Sequence, residues 1–248
     1  MTSSLRQTAY EQIREMLLSG ILPPGTHLSA RALGKHLGMS LIPVREAIGQ
    51  LSHEGLVDHH PNRGAFVHWP TANELDELYE IREALECHAA ISACGRIEAE
   101  AIATMRRCNA TLREIAESLG EAGNGVDVAA NRRWVLADAE LHLALAGATG
   151  NRRMVELVGN LRIAAQVFGG GRGGHSDTDE NRRRILREHD ELIDAVECGD
   201  GERARRVLTT HIRTGLQEAK RLLAERLLGQ QQQPDIDARL SGLLGRGR

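Results

Sequence analysis

Apolar residues recur every four positions from Leu5 through Ala9 and Ile13 to Leu17, which predicts an amphipathic helix over Leu5–Ser19 that ends at Gly20. After a turn over Ile21–Gly25, helical spacing resumes at Ala32, Leu33, His36 and Leu37. Ser29 is placed as its N-cap, and Gly38 can take the left-handed conformation that closes a helix. Ser40 is the expected N-cap of the next helix, with Pro43 in the first turn, where its missing N–H is not needed. There Val44, Ala47, Ile48 and Leu51 form a stripe for burial, and Leu41, Ile42, Arg45, Glu46, Gly49 and Gln50 are left on the outer face. Gly55-Leu56-Val57 and Ala65-Phe66-Val67, joined by Pro61-Asn62-Arg63-Gly64, pattern as a β-hairpin.

An αα corner with glycine in its turn looks the same whether or not it binds DNA. The hairpin separates the two readings, because helix, tight turn, helix and wing together describe a winged helix-turn-helix whose second helix suits the major groove. The expected DNA contacts are Arg31, Lys35, Ser40 and Arg45 on the helices and Arg63 and Gly64 at the wing tip, with Arg45 reading a base and Arg63 meeting phosphate or a groove edge.

Past a linker over Val67–Pro70, Thr71 and Glu74 spell a capping box and the rest patterns as helix. Six segments are expected: to about Cys94, then 97–119, 126–148, 152–168, 179–198 and 202–228, broken at glycine-containing joints. Short joints imply an antiparallel bundle. The fold class is therefore mainly α, with a winged helix-turn-helix over residues 1–70, a six-helix bundle over 71–228 and a disordered tail over 229–248. The run GGGRGG at 169–174 has no strand before it and no Gly-Lys-Ser/Thr after it, so it reads as a flexible loop or lid rather than a phosphate cradle.

Composition alters this picture little. The 248 residues are 41% hydrophobic but only 2% aromatic, so the core is aliphatic. The absence of an 18-residue apolar run and of a signal-peptide core after Met1 leads to the expectation of a soluble, cytoplasmic protein with no membrane partner. Cys87, Cys94, Cys108 and Cys198 lack CxxC or framework spacing and are expected to be reduced, packed thiols. The net charge of −3 divides into +1 for residues 1–70, from six basic and five acidic side chains, and −4 for the remainder. A +1 domain is a weak electrostatic footprint, so the DNA reading depends on where the basic residues stand, and modest affinity per domain favours a homodimer on two half-sites.

The bundle segment holds five histidines, and three of them occupy apolar stripes: His142 with Val135 and Leu145, His189 between Ile185 and Leu192, and His211 after Val207 and Leu208. Asp138 lies one helical turn before His142. A single histidine so placed is ordinarily a satisfied core residue, whereas three with a carboxylate suit a divalent cation such as Zn²⁺, Ni²⁺ or Mn²⁺ with open coordination positions. Arg82 falls between Leu78 and Leu85 of a further apolar stripe that includes Leu75 and Ala89. It pairs either with an acid such as Glu83 or Glu86, or with the carboxylate of a ligand.

Two sets of segments carry a resemblance. PPGTHLSARALGKHLGMS, PVREAIGQLSHEGLV and PNRGAFV resemble the winged helix of the GntR family of bacterial transcription regulators over about the first 70 residues, with a departure at Leu41 and Ile42, where that family carries a basic residue and a threonine. YEIREALE, ADAELHLALA, REHDELIDAVECGD and LTTHIRTGL, within residues 72 to 228, resemble the metal-binding helical effector (FCD) domain of its FadR-type members. The resemblance implies Asp138, His142, His189 and His211 as metal ligands and Arg82 at the effector pocket. The expected function is a DNA-binding transcription repressor controlled by a small organic acid at a metal site. A metal-dependent enzyme acting on a small carboxylate and a pure metal sensor are the alternatives, the enzyme disfavoured because no general base stands beside the ligands and the winged helix would have no purpose.

Overall fold

The computed structural model describes residues 4–122, 128–169 and 178–229. Its first helix, α1 (Leu5–Leu18), buries Ala9, Ile13 and Leu17 against α3 (Leu41–His53), which α2 (Ala30–Leu37) meets across the Gly38 turn. Ser29 accepts a capping bond from the Ala32 N–H, as expected. Ser40 stands at the N-cap of α3 but makes no side-chain capping bond, and Leu5 is 67% exposed, outside the apolar stripe assigned to it. Leu5 stands in the first turn of the helix, next to its Ser4 N-cap.

Strands β1 (Val57–His60) and β2 (Gly64–Val67) pair antiparallel from Val57↔Val67 to His60↔Gly64, and His27 bridges to Phe66 at the outer edge. Gly64 is required there: its φ is +94°, and a Cβ would come within 2.8 Å of His27 Nε2.

The remaining helices are α4 (Ala72–Ala93), α5 (Ala99–Ala122), α6 (Val128–Gly147), α7 (Arg152–Phe168), α8 (Asp179–Glu197) and α9 (Gly201–Gly229). They pack in a closed ring in the order α4, α9, α8, α5, α6, α7 and back to α4. Antiparallel neighbours follow from the short joints. The α4 stripe differs from its expected form, since Tyr79, Arg82 and Glu86 are buried where Leu78 and Leu85 are only half-buried. Polar partners supplied by other helices make burial of the charged pair cheaper than the apolar pattern suggested. Cys87 and Cys108 are buried and Cys94 half-buried, whereas Cys198 is exposed at the end of α8, contrary to the packed-thiol expectation. The GGGRGG loop beyond Gly169, His175 and the 230–248 tail lie outside the described residues. No described helix is long and apolar enough to cross a membrane.

The two parts of the chain meet through α1 and the linker. Glu15 of α1 pairs with Arg132 of α6 at 2.7 Å, and the His68 ring lies 5.2 Å from Phe168 at the end of α7. The Thr71 hydroxyl accepts from the Glu74 N–H at 3.1 Å while the Glu74 carboxylate accepts from the Thr71 N–H at 2.6 Å. With both bonds of the capping box formed, Thr71→Ala is expected to cost about 1 kcal/mol, readable as a fall of roughly 2–4 °C in melting temperature. An unchanged melting temperature would show that the box contributes nothing net.

Candidate metal centre and nucleic-acid interface

Asp138 and His142 project from one face of α6 because they are four residues apart. His189 comes from α8 and His211 from α9. One ligand atom from each of the four lies within 4.8 Å of all the others. The three imidazole centroids are 5.1–5.4 Å apart. His142 and His189 are 2% and 1% exposed, while Asp138 and His211 are half-buried where the cluster opens on a cavity.

Charged partners surround the cluster. Glu86 of α4 accepts from Arg82 Nε at 2.9 Å and from Arg162 Nη1 at 3.0 Å, and its Oε2 lies 2.8 Å from His142 Nδ1 without the alignment of a hydrogen bond. Arg162 of α7 also donates to Asp138. Glu188 contacts His211 Nδ1 at 2.8 Å and accepts from Arg184 at 2.7 Å. Burial alone would push the Asp138 carboxyl up, but Arg162 and the three imidazoles outweigh it and hold it well below the carboxylate range. Burial depresses His142 to about 4, helped by Arg162 and opposed by Glu86. Burial, with His211, drives His189 far down as well.

Both nitrogens of His189 and the Nε2 of His142 are buried with no hydrogen-bond partner. Orphaned buried nitrogens are uncommon in native proteins. A neutral His142 and His189 beside an ionised Asp138 are in the protonation states that a divalent cation requires. Glu188 on His211 and Glu86 beside His142 stand where outer-shell carboxylates orient metal-bound histidines. The donor set fits one divalent ion.

The adjoining cavity has a volume of about 120 Å³, room for several waters or a small organic molecule. Its walls include Asp138, His211, Arg82, Arg162 and Gln166, whose buried Nε2 has no partner. Arg14 and Leu18 of α1 complete the wall, so a helix of the winged domain borders the bundle's cavity. Arg82 Nε is paired with Glu86, one of the two acids expected for it, and the residue also lines the cavity, where its Nη groups make no hydrogen bond to any described residue. Glu83, the other expected partner, pairs instead with Arg213 at 2.8 Å. Arg162 escaped the sequence reading, although it sits between Val158 and Ala165 on the buried face of α7, the same signal of a charge on an apolar stripe that singled out Arg82. Arg14 and Gln166 carried no comparable signal.

In the winged domain, Arg31, Lys35, Ser40, Arg45, Arg63 and Gly64 are all exposed. The α3 face bearing Leu41, Ile42, Arg45, Glu46 and Gly49 is exposed throughout, with Val44, Ala47, Ile48 and Leu51 buried behind it. The Arg63 guanidinium lies 5.7 Å from the Phe66 ring at the wing tip.

Comparison with known proteins gives two family matches: residues 5–67 match the bacterial regulatory proteins of the gntR family, and residues 77–214 match the FCD domain. The HTH-type transcriptional regulator YdhC of Bacillus subtilis is 24% identical over 219 residues, 87% of this chain and 91% of its own length. The HTH-type transcriptional repressor RspR of Escherichia coli is 23% identical over 211 residues, 85% of this chain and 87% of its own. Among solved structures, E. coli McbR/YncC superposes with a TM-score of 0.72 at 21% identity, covering 91% of this chain and all of that one, a likeness of fold.

Proposed function

The chain belongs to the GntR family of bacterial regulatory proteins, with an FCD domain behind its winged helix, and on that premise we propose a repressor whose hold on operator DNA is set by a small organic acid bound in the bundle cavity. The family and the relatives are transcriptional regulators rather than enzymes, and one relative is named a repressor. In this reading residues 1–70 bind double-stranded DNA through Arg31, Lys35, Ser40, Arg45, Arg63 and Gly64. Residues 71–228 bind the effector and dimerise, and the protein works in the cytoplasm.

The observation that carries the reading is the convergence of Asp138, His142, His189 and His211 in one cluster, whose Asp138 and His211 line a cavity that α1 also walls. A divalent ion there, Zn²⁺, Ni²⁺ or Mn²⁺ by donor chemistry, supplies open positions for ligand oxygens. The chain's own residues do the rest. Arg82 offers its Nη groups to a carboxylate, and Gln166 Nε2 offers a donor farther along the wall. Glu86 and Arg162 lock Arg82 and Asp138 in place. These organic-ligand donors would be idle in a pure metal sensor. Because α1 packs on α3, a ligand touching Arg14 or Leu18 acts one helix away from the recognition helix, which gives effector and operator a shared mechanical element.

The test is a panel of small mono- and dicarboxylates, followed by melting temperature and then by titration with and without operator. At least one acid is expected to raise the melting temperature and to bind with different affinity when operator is present, by the same factor by which it changes operator affinity. Arg82→Lys, which keeps the charge beside Glu86 but removes the fork, should weaken that acid at least tenfold and leave metal content and acid-free operator binding unchanged. Equal acid affinities with and without operator would end the coupling model.

A further inference from the structure

The first turn of α3 carries two exposed apolar side chains, Leu41 at 42% and Ile42 at 70%. Single exposed apolar residues need no explanation, but this pair stands at the end of a recognition helix that meets base edges. Leu41 has an internal use, since it lies over Gly34, where an added Cβ would sit 3.9 Å from Leu41 Cδ2. Ile42 has none: Pro43 and Val44 after it are buried, and Ile42 points away from them.

On the helix surface Ile42 shares its face with Arg45, three residues on, and with Gly49, seven residues on, at which a Cβ would meet nothing within 4 Å. Glu46 flanks the same row, and the Ser40 hydroxyl before it makes no capping bond. The row is open, close to the backbone at Gly49, and mixed in chemistry: one apolar branch, then one guanidinium.

In the major groove the apolar feature of the base edges is the C5-methyl of thymine, and guanine O6 and N7 suit an arginine fork. We propose that Ile42 reads thymine methyl groups, making it a specificity-determining residue that selects a thymine near the guanine read by Arg45. The spacing follows from geometry. Three helical residues advance roughly 4.5 Å and a base-pair step is about 3.4 Å, so thymine and guanine stand within about two base pairs of each other.

The experiment uses the full-length chain and a duplex selected with it from a random library. Each thymine of the selected site is replaced in turn by uracil, which removes only the methyl group. The expected result is a loss of about fourfold at one thymine per half-site, or at two adjacent ones, within two base pairs of a guanine whose replacement is also harmful. In Ile42→Ala that uracil penalty should vanish, and in Ile42→Val it should persist in part. Ile42 is exposed, so neither variant should unfold, and unchanged melting temperatures verify this. Uracil tolerated at every position, a penalty that survives Ile42→Ala, or failure to select any preferred sequence would each overturn the assignment.

Discussion

Protein purified without chelator is expected to carry one divalent ion per chain, and stripping that ion should lower the melting temperature by roughly 8–16 °C. At a free metal concentration about a thousandfold above Kd, binding to the folded state alone adds about 4 kcal/mol, and for a chain of this size each kcal/mol moves the midpoint by about 2–4 °C. Two features support so large an effect. His142 and His189 are buried with partnerless nitrogens, and the ligand atoms already lie within 4.8 Å of one another, so little ordering remains to be done on binding. His211→Ala should abolish the response to chelator; because His211 is half-buried, that variant should itself fold. Elemental analysis showing under a tenth of an ion per chain, together with a melting temperature indifferent to chelator and to added Zn²⁺, Ni²⁺ or Mn²⁺, would return the three histidines to ordinary core roles.

Glu86→Ala is expected to destabilise the bundle by roughly 3–5 kcal/mol, the range for removing one partner from a buried ion pair. Glu86 is 2% exposed and is shared by Arg82 and Arg162, so its loss strands the buried Arg82 guanidinium and leaves Arg162 with Asp138 alone. Burial pushes its carboxyl up, but Arg82 and Arg162 outweigh this and hold it well below the carboxylate range. A group whose pKa is depressed by folding contributes stability that is complete above its unfolded value, about 4.3, and is lost as pH falls towards the folded value. Chemical denaturation between pH 3 and 7 should therefore show a steep acid limb in the parent protein and a shallower one in Glu86→Gln, which keeps the shape without the charge. Parallel limbs would mean that Glu86 is no part of the acid response.

The winged helix was legible because its signals are local. The Ser29 cap, the left-handed Gly38 and the alternation of Val44, Ala47, Ile48 and Leu51 with outward residues each depend on neighbours within one or two turns. The same holds for the Thr71–Glu74 capping box and for the α7 boundaries, Arg152 and Phe168, where the structure agrees with the spacing to the residue. Asp138, His142, His189 and His211 could be singled out because a titratable side chain on an apolar stripe is conspicuous against its own helix.

By itself, then, the sequence determined the mainly helical architecture, the hairpin wing, the exposed face of α3 and the short roster of charged or titratable residues set among apolar ones. Which of these meet was decided only by tertiary structure. The Arg82–Glu86 pair is the exception, an i,i+4 contact within α4; Glu83, one residue on from Arg82 and on another side of the helix, meets Arg213 of α9. Arg162 reached both Glu86 and Asp138 only because the ring closes α7 between α4 and α6. Arg14 came to line the cavity through the docking of α1 on the bundle, to which no periodicity within α1 points. Periodicity reports which side of a helix is buried, set by 3.6 residues per turn, but carries nothing about which helix lies opposite. That depends on the packing of the whole ring, where a buried charge is stable only beside the partner that another helix brings.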